Sequence, residues 1–205
     1  MEGVDWSPEQ PTWVPPNLSF FLDDMRLPWC FDKKFDYIHT RATMYMGCWG
    51  DFKNEVVQQA FDNLHPGGWF ESQEIGSLVE CDDKSLQFDA PLATWARIFY
   101  QAGLSMGRPR DAADKMCEWY KEVGFVDVEQ RVFKMPIGPW AKCPRLKETG
   151  KYWQVCMDDA LEGLSLRLFN EAFGWDEAKT KVGRFTSMLL RDKEEMLTRN
   201  CFRSC

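Results

Sequence analysis

In the first third of the chain, short apolar runs that each end on a polar residue are separated by loops rich in proline and glycine, before stretches of helical periodicity take over. Gly3-Val4-Asp5 reads as the last residues of a β-strand that delivers a carboxylate at its carboxyl end. Pro8, Pro11, Pro15 and Pro16 keep the next stretch irregular, and Leu18-Ser19-Phe20-Phe21-Leu22 predicts a short buried strand ending at Asp23-Asp24. Phe35-Asp36-Tyr37-Ile38-His39 repeats that design. From Asp51, a good N-cap, the apolar residues Phe52, Val56, Val57, Ala60, Phe61 and Leu64 recur at helical spacing until Pro66-Gly67-Gly68 stops them. Trp69 to Ile75 predicts the next strand, and the order strand, helix, strand gives a right-handed crossover and a parallel sheet.

Ala90 to Met106 and Asp111 to Val123 predict two helices, the second capped by Gly124. Val126 to Met135 predicts a late strand, and Leu146 to Phe173 and Asp176 to Leu197 predict two more helices. The fold class is α/β, in one domain over 1–205: a partial nucleotide-binding half over 1–80, then a helical elaboration with the late strand over 86–205. In such a sheet, ligands bind at the carboxyl ends of the strands, where Asp5 would lie.

Composition narrows the picture. Of 205 residues, 44% are hydrophobic, enough for a sizeable core. The net charge of -7 and the lack of a basic stripe argue against a nucleic-acid partner. No apolar run approaches the roughly 20 residues of a spanning helix, and no signal-peptide core follows Met1-Glu2-Gly3, so the expected compartment is the cytosol, with the nucleus as the alternative. The 8 cysteines are scattered without a C-x-x-C pair, which predicts reduced thiols and no metal site. Among 10 tryptophans, Trp6, Trp13, Trp29 and Trp49 fall in loops around the first strands, where they either wall an apolar pocket or pack the core.

Four stretches carry a family resemblance: GVDWSPEQPTWVPPNLSFFLDD at 3–24, FDYIHTR at 35–41, LHPGGWFESQE at 64–74 and GFVDVEQRVFKMPIGPW at 124–140. In this order they resemble the class I S-adenosylmethionine-dependent methyltransferases, specifically the fungal LaeA-like branch associated with secondary metabolism. The resemblance implies a Rossmann-like sheet, S-adenosylmethionine as cofactor and a small-molecule metabolite as substrate. It also implies that Asp5 takes the ribose hydroxyls, that Asp24 takes the adenine amine and that Met25 packs on the adenine ring; a solvated or helix-capping aspartate is the alternative at both acidic positions. His39, at the end of its strand, is either a general base or a structural histidine. Arg41 either orients substrate or pairs with an acid such as Asp36. Glu74 divides in the same way between substrate contact and structural acid, and Trp49 is a candidate substrate contact.

The chain departs from the family in two places. Family members carry a Gly-rich turn after an earlier strand, because a side chain there would collide with the methionine part of the ligand, and no G-x-G occurs in this sequence. The closing antiparallel strand is likewise expected to be missing, since Arg199 to Cys205 stops where it should begin. The expected sheet is therefore a truncated one with added C-terminal helices. In the family the earlier strand lies between those ending at Asp5 and His39, so that slot must be closed by its neighbours, filled by a homodimer or protein partner, or filled by residues of a longer gene product. Three functions follow: methyl transfer to a small metabolite, a methyltransferase-derived cyclase or isomerase, and a non-catalytic pathway or regulatory subunit.

Overall fold

The computed structural model describes residues 1–43, 50–76, 79–81, 86–108, 110–180, 197–200 and 202–204. Strand β1 (Glu2–Asp5) pairs in parallel with β2 (Ser19–Leu22), Glu2 opposite Ser19 and Asp5 opposite Leu22. The apolar run in β2 was expected to be buried, yet Phe21 and Leu22 are 49% and 65% exposed. The reason is position: β2 is an edge strand with β1 as its one neighbour among the described residues.

Strand β3 (Phe35–Arg41) pairs in parallel with β4 (Leu64–Gln73), from Tyr37 opposite Trp69 to Arg41 opposite Gln73. A π-helical segment, Lys53–Gln58, and the short helix α1 (Gln59–Asn63) connect them, which makes the predicted crossover. Phe52, Val56, Val57 and Ala60 are buried as their spacing predicts. Helix α1 ends earlier than predicted, because Leu64 is already extended. Pro66-Gly67-Gly68 then lies inside β4 as a bulge, between Leu64 opposite Phe35 and Trp69 opposite Tyr37. Pro66 has no N–H to give a ladder, and Gly67 takes a φ of +84° that other residues avoid, so the strand loops out of register there.

The short strand β5 (Val79–Glu80) precedes helices α2 (Pro91–Ser105) and α3 (Ala112–Val123), both within two residues of their predicted bounds. Gly124 ends α3 in the left-handed conformation, φ +119°. Only the end of the predicted late strand forms, as β6 (Phe133–Pro136), since Asp127 at φ +55° interrupts the extended chain before it. Helix α4 (Pro144–Phe173) runs 30 residues, and α5 (Glu177–Thr180) follows. Most of the remaining helix predicted towards Leu197 lies outside the described residues.

Leu197 itself opens β7 (Leu197–Asn200), followed by β8 (Phe202–Ser204). The expectation that the chain stops short of an antiparallel strand is therefore corrected: β8 pairs antiparallel with β4, and β7 lies antiparallel between β5 and β6. Backbone pairing with β4 to β6 overrides the weak apolar signal of these residues.

Two cores position the site. One lies between the β3–β4 pair, the crossover and α3, around Val56, Val57, Phe70, Met116 and Tyr120. The other lies between α2 and α4, around Trp95, Phe99, Met157, Leu161 and Phe169. There the buried Trp95 indole N–H donates to Ser165 Oγ at 2.7 Å, and that hydroxyl donates to the Leu161 carbonyl at 2.5 Å. Between β1 and β3 there is no pairing. A cavity of about 520 Å³ separates them instead, lined by Met1 to Asp5 on one side and by Phe35 and Tyr37 to Arg41 on the other. The neighbouring strands have not closed up.

Candidate functional site

The ends of β1 and β3, together with the turn after β2, meet at a second cavity of about 650 Å³, within the usual range of small-molecule sites. Asp5, Met25 and Arg41 line both cavities, so the structure brings together three residues that the sequence had marked from three separate segments. Asp5 is exposed, and its Oδ1 accepts the Ser7 N–H at 2.9 Å in a local turn. Its other oxygen takes no partner among the described residues. The Asp5 carbonyl accepts the Asp23 N–H at 3.2 Å, which ties the two strand ends together. Met25 is held by its own carbonyl, which accepts the Trp29 indole N–H at 2.9 Å.

Asp24 is arranged differently. Its carboxylate accepts from Arg26 Nη2 at 2.7 Å and from Nε at 3.0 and 3.2 Å, and it lines neither cavity. The Arg26 guanidinium, through its side-chain hydrogen bonds first, holds the Asp24 carboxyl down at about 2. Arg26 in turn lies 4.5 Å over the Trp6 ring, and Trp6 lines the larger cavity. Trp29 lines the smaller one, whereas Trp13 is 93% exposed and Trp49 lies outside the described residues.

His39 lines the smaller cavity beside Asp5, Met25 and Arg41. It stacks on Tyr37 with ring centres 6.3 Å apart, and Tyr37 donates its hydroxyl to Glu71 Oε2 at 2.5 Å. Glu71 is thereby held below the usual carboxylate range, by the Tyr37 hydroxyl first, then by Gln73 and by the neighbouring His39. Tyr37 is pushed up to about 12, by burial first and then by Glu71. The Arg41 side chain makes no hydrogen bond or ion pair among the described residues, so pairing with Asp36 is not the arrangement found. Ala42, next to it, has a φ of +53°, a conformation that costs a non-glycine residue energy and is held by its N–H donating to the Gln73 carbonyl at 2.8 Å. Glu74 completes this clamp: it is fully buried and accepts from the Thr43 N–H at 3.2 Å and the Thr43 hydroxyl at 2.6 Å. It lines neither cavity.

The far wall comes from residues that sequence reasoning missed. Phe99 of α2, Arg108 and Arg110 after it, and Leu164, Arg167, Leu168 and Glu171 of α4 all line the larger cavity. The α4 residues recur at helical spacing on one face. Arg167 donates to Glu171 at 2.7 Å, which lowers the Glu171 carboxyl, with Arg108 adding to the effect. Arg110 stacks over Phe99 at 3.8 Å. The one available signal was an arginine between two leucines in the middle of a long helix, and this does not say what the helix faces. No group of histidine, cysteine and acidic residues among the described ones could hold a metal, and no helix among them is long and apolar enough to cross a membrane.

No protein-family model matches the chain. Among curated proteins it is 35% identical to "Methyltransferase pytC" of Aspergillus terreus over 182 residues, 88% of this chain and 55% of the relative. It is 31% identical to "Probable methyltransferase tdiE" of Emericella nidulans over 183 residues, 87% of this chain and 56% of the relative. It is 29% identical to laeA proteins, called "Secondary metabolism regulator" in Aspergillus flavus and "Protein-methionine methyltransferase" in Emericella nidulans, over 85% and 84% of this chain and 47% and 46% of theirs. The chain thus spans about half the length of the curated relatives it matches. Across that shared span, this chain is similar to fungal methyltransferases and to LaeA-like regulators of secondary metabolism.

Proposed function

We propose that the chain serves S-adenosylmethionine-dependent methyl transfer to a small metabolite of fungal secondary metabolism, in the cytosol or nucleus. The observation that supports this most is the convergence of Asp5, Met25 and Arg41 on one cavity at the strand ends, in a chain with methyltransferase relatives. When bound, the cofactor supplies an electrophilic methyl group. The residues fit its nucleoside end in part. Asp5 has an oxygen open for ribose hydroxyls, and Met25 and Trp6 offer apolar surface to the base. Asp24 fits less well, because Arg26 holds both its oxygens, so the base contact falls to Met25.

His39 reaches the cavity between β1 and β3 and is the group there that could take a proton from the acceptor. The slot between β1 and β3 favours a further reading. It lies between two strands that do not pair with each other, and we assign it to an extended segment of another copy or partner protein that completes the sheet. The domain would then be the partial nucleotide-binding half at 1–80 with its helical elaboration at 86–205.

A second reading is a cyclase or isomerase that uses the same cavity for a substrate alone, without methyl transfer. Incubating candidate intermediates with the protein, with and without S-adenosylmethionine, separates the two by product mass. A gain of one methyl that requires the donor is the expected result. An isomer of unchanged mass formed without donor would overturn it in favour of the cyclase, and no product from authentic intermediates would favour a regulatory subunit.

A further inference from the structure

The larger cavity carries a charge opposite to that of the chain. Its lining holds four arginines, Arg41, Arg108, Arg110 and Arg167, against the two carboxylates Asp5 and Glu171, in a protein of net charge -7. Internal ion pairs use only part of this charge. Arg167 is committed to Glu171 at 2.7 Å, whereas Arg41 makes no ion pair among the described residues, and Arg108 makes no side-chain hydrogen bond among them. Arg110 is buried, with its guanidinium stacked on Phe99. Between the arginines the wall is apolar, built by the half-buried Leu164 and Leu168, with Gly163 adding no side chain. Guanidinium groups present paired donors that match a carboxylate, and an apolar wall beside them accepts a ring or an aliphatic body.

We infer that the acceptor bound in this cavity is an apolar small molecule carrying a carboxylate, held by Arg41 and Arg108 while its body packs on Leu164 and Leu168. The inference rests on reading the cavity as the acceptor side of a methyl-transfer site, since the arginines on α4 and after α2 lie across the cavity from Asp5. The donor also carries a carboxylate, so the same chemistry has two sources. Arg108, Arg110 and Arg167 line only the larger cavity, apart from the strand ends that Asp5 and Arg41 share, which assigns that side to the acceptor, with Arg41 reaching it from the strand-end side.

The test uses the 205-residue chain with two probes of one shape, 2-naphthoate and its neutral counterpart 2-naphthamide, followed by tryptophan fluorescence. The expected result is that the acid binds at least about tenfold tighter than the amide at low salt, with a smaller margin at high salt. Arg41→Gln and Arg108→Gln should each weaken the acid severalfold and leave the amide unchanged, and the double variant should bind both alike. Arg41→Lys, at an exposed position, keeps the charge and should retain part of the preference even if another variant folds poorly. Equal binding of acid and amide to the unaltered chain, or a preference that survives the double variant, would overturn the inference. So would loss of the preference on saturation with S-adenosylmethionine, because the arginines would then hold the donor's own carboxylate. Donor binding measured separately by calorimetry reports on the methyl-transfer reading: a chain that prefers the acid but binds no donor keeps the anion site and loses that reading.

Discussion

Tyr37 and Glu71 show how single side chains on adjacent strands shift each other's titration, with His39 beside them. They lie on neighbouring positions of β3 and β4, with His39 directly opposite Glu71. Glu71 is held below its usual range, so its contribution to stability is whole above about pH 4.5 and is lost as the pH falls below that. Tyr37 is raised to about 12, so its contribution is whole below about pH 10 and is lost between there and 12. Tyr37→Phe should flatten the alkaline loss, and thermal melts from pH 8 to 12 would show it. Identical alkaline profiles for the two proteins would mean that the hydroxyl and Glu71 do not interact. A second prediction concerns Asp24 and Arg26. With the carboxyl held near 2, the pair is whole above about pH 3.9 and is lost as the pH falls towards 2, so an NMR titration of Asp24 that midpoints near 4 would contradict the geometry.

Among the elements, the strands and helices that surround the site were legible because apolar spacing and end signals agreed. Gly124 ends α3, and the run from Phe52 to Ala60 packs as its period required. What was not legible depended on long-range pairing. Pro66-Gly67-Gly68 reads as a stop signal, yet it is a bulge in β4 because β3 lies alongside. The tail from Leu197 reads as helix end and loose chain, yet its backbone pairs with strands more than a hundred residues earlier. The meeting of Asp5, Met25 and Arg41 at one place was legible because strand ends mark themselves, whereas Asp24 and Glu74 line neither cavity and the arginine wall, which needs α4 beside the strand ends, was not legible. The α2–α4 packing that sets this wall offers its own test. Ser165→Ala should leave the buried Trp95 indole N–H without its acceptor and cost about 1 to 3 kcal/mol, measured by chemical denaturation. A change within about 0.5 kcal/mol would show that the hydrogen bond does not hold the helices together.

At the scale of the whole molecule, the sheet is divided. Strands β1 and β2 stand apart from β3, β4 and β8, and the gap of about 520 Å³ lies between β1 and β3, which do not pair with each other. Unpaired edges attract extended chain, so the protein should associate in light scattering at tens of micromolar, through this slot. A stable monomer over that range would instead mean that the slot does not recruit a second chain. The same division bears on donor binding, since the slot opens beside Asp5 and Met25. The central claim is that the strand ends at Asp5 and Met25 form the nucleoside half of a methyl-donor site. Calorimetry with S-adenosylhomocysteine on the unaltered chain and on Asp5→Asn tests it most directly. The account predicts binding weaker than about 1 μM, since no G-x-G turn holds the amino-acid end, and a further loss of about tenfold or more in Asp5→Asn. Tight binding that Asp5→Asn leaves unchanged, or no binding to either protein, would contradict it.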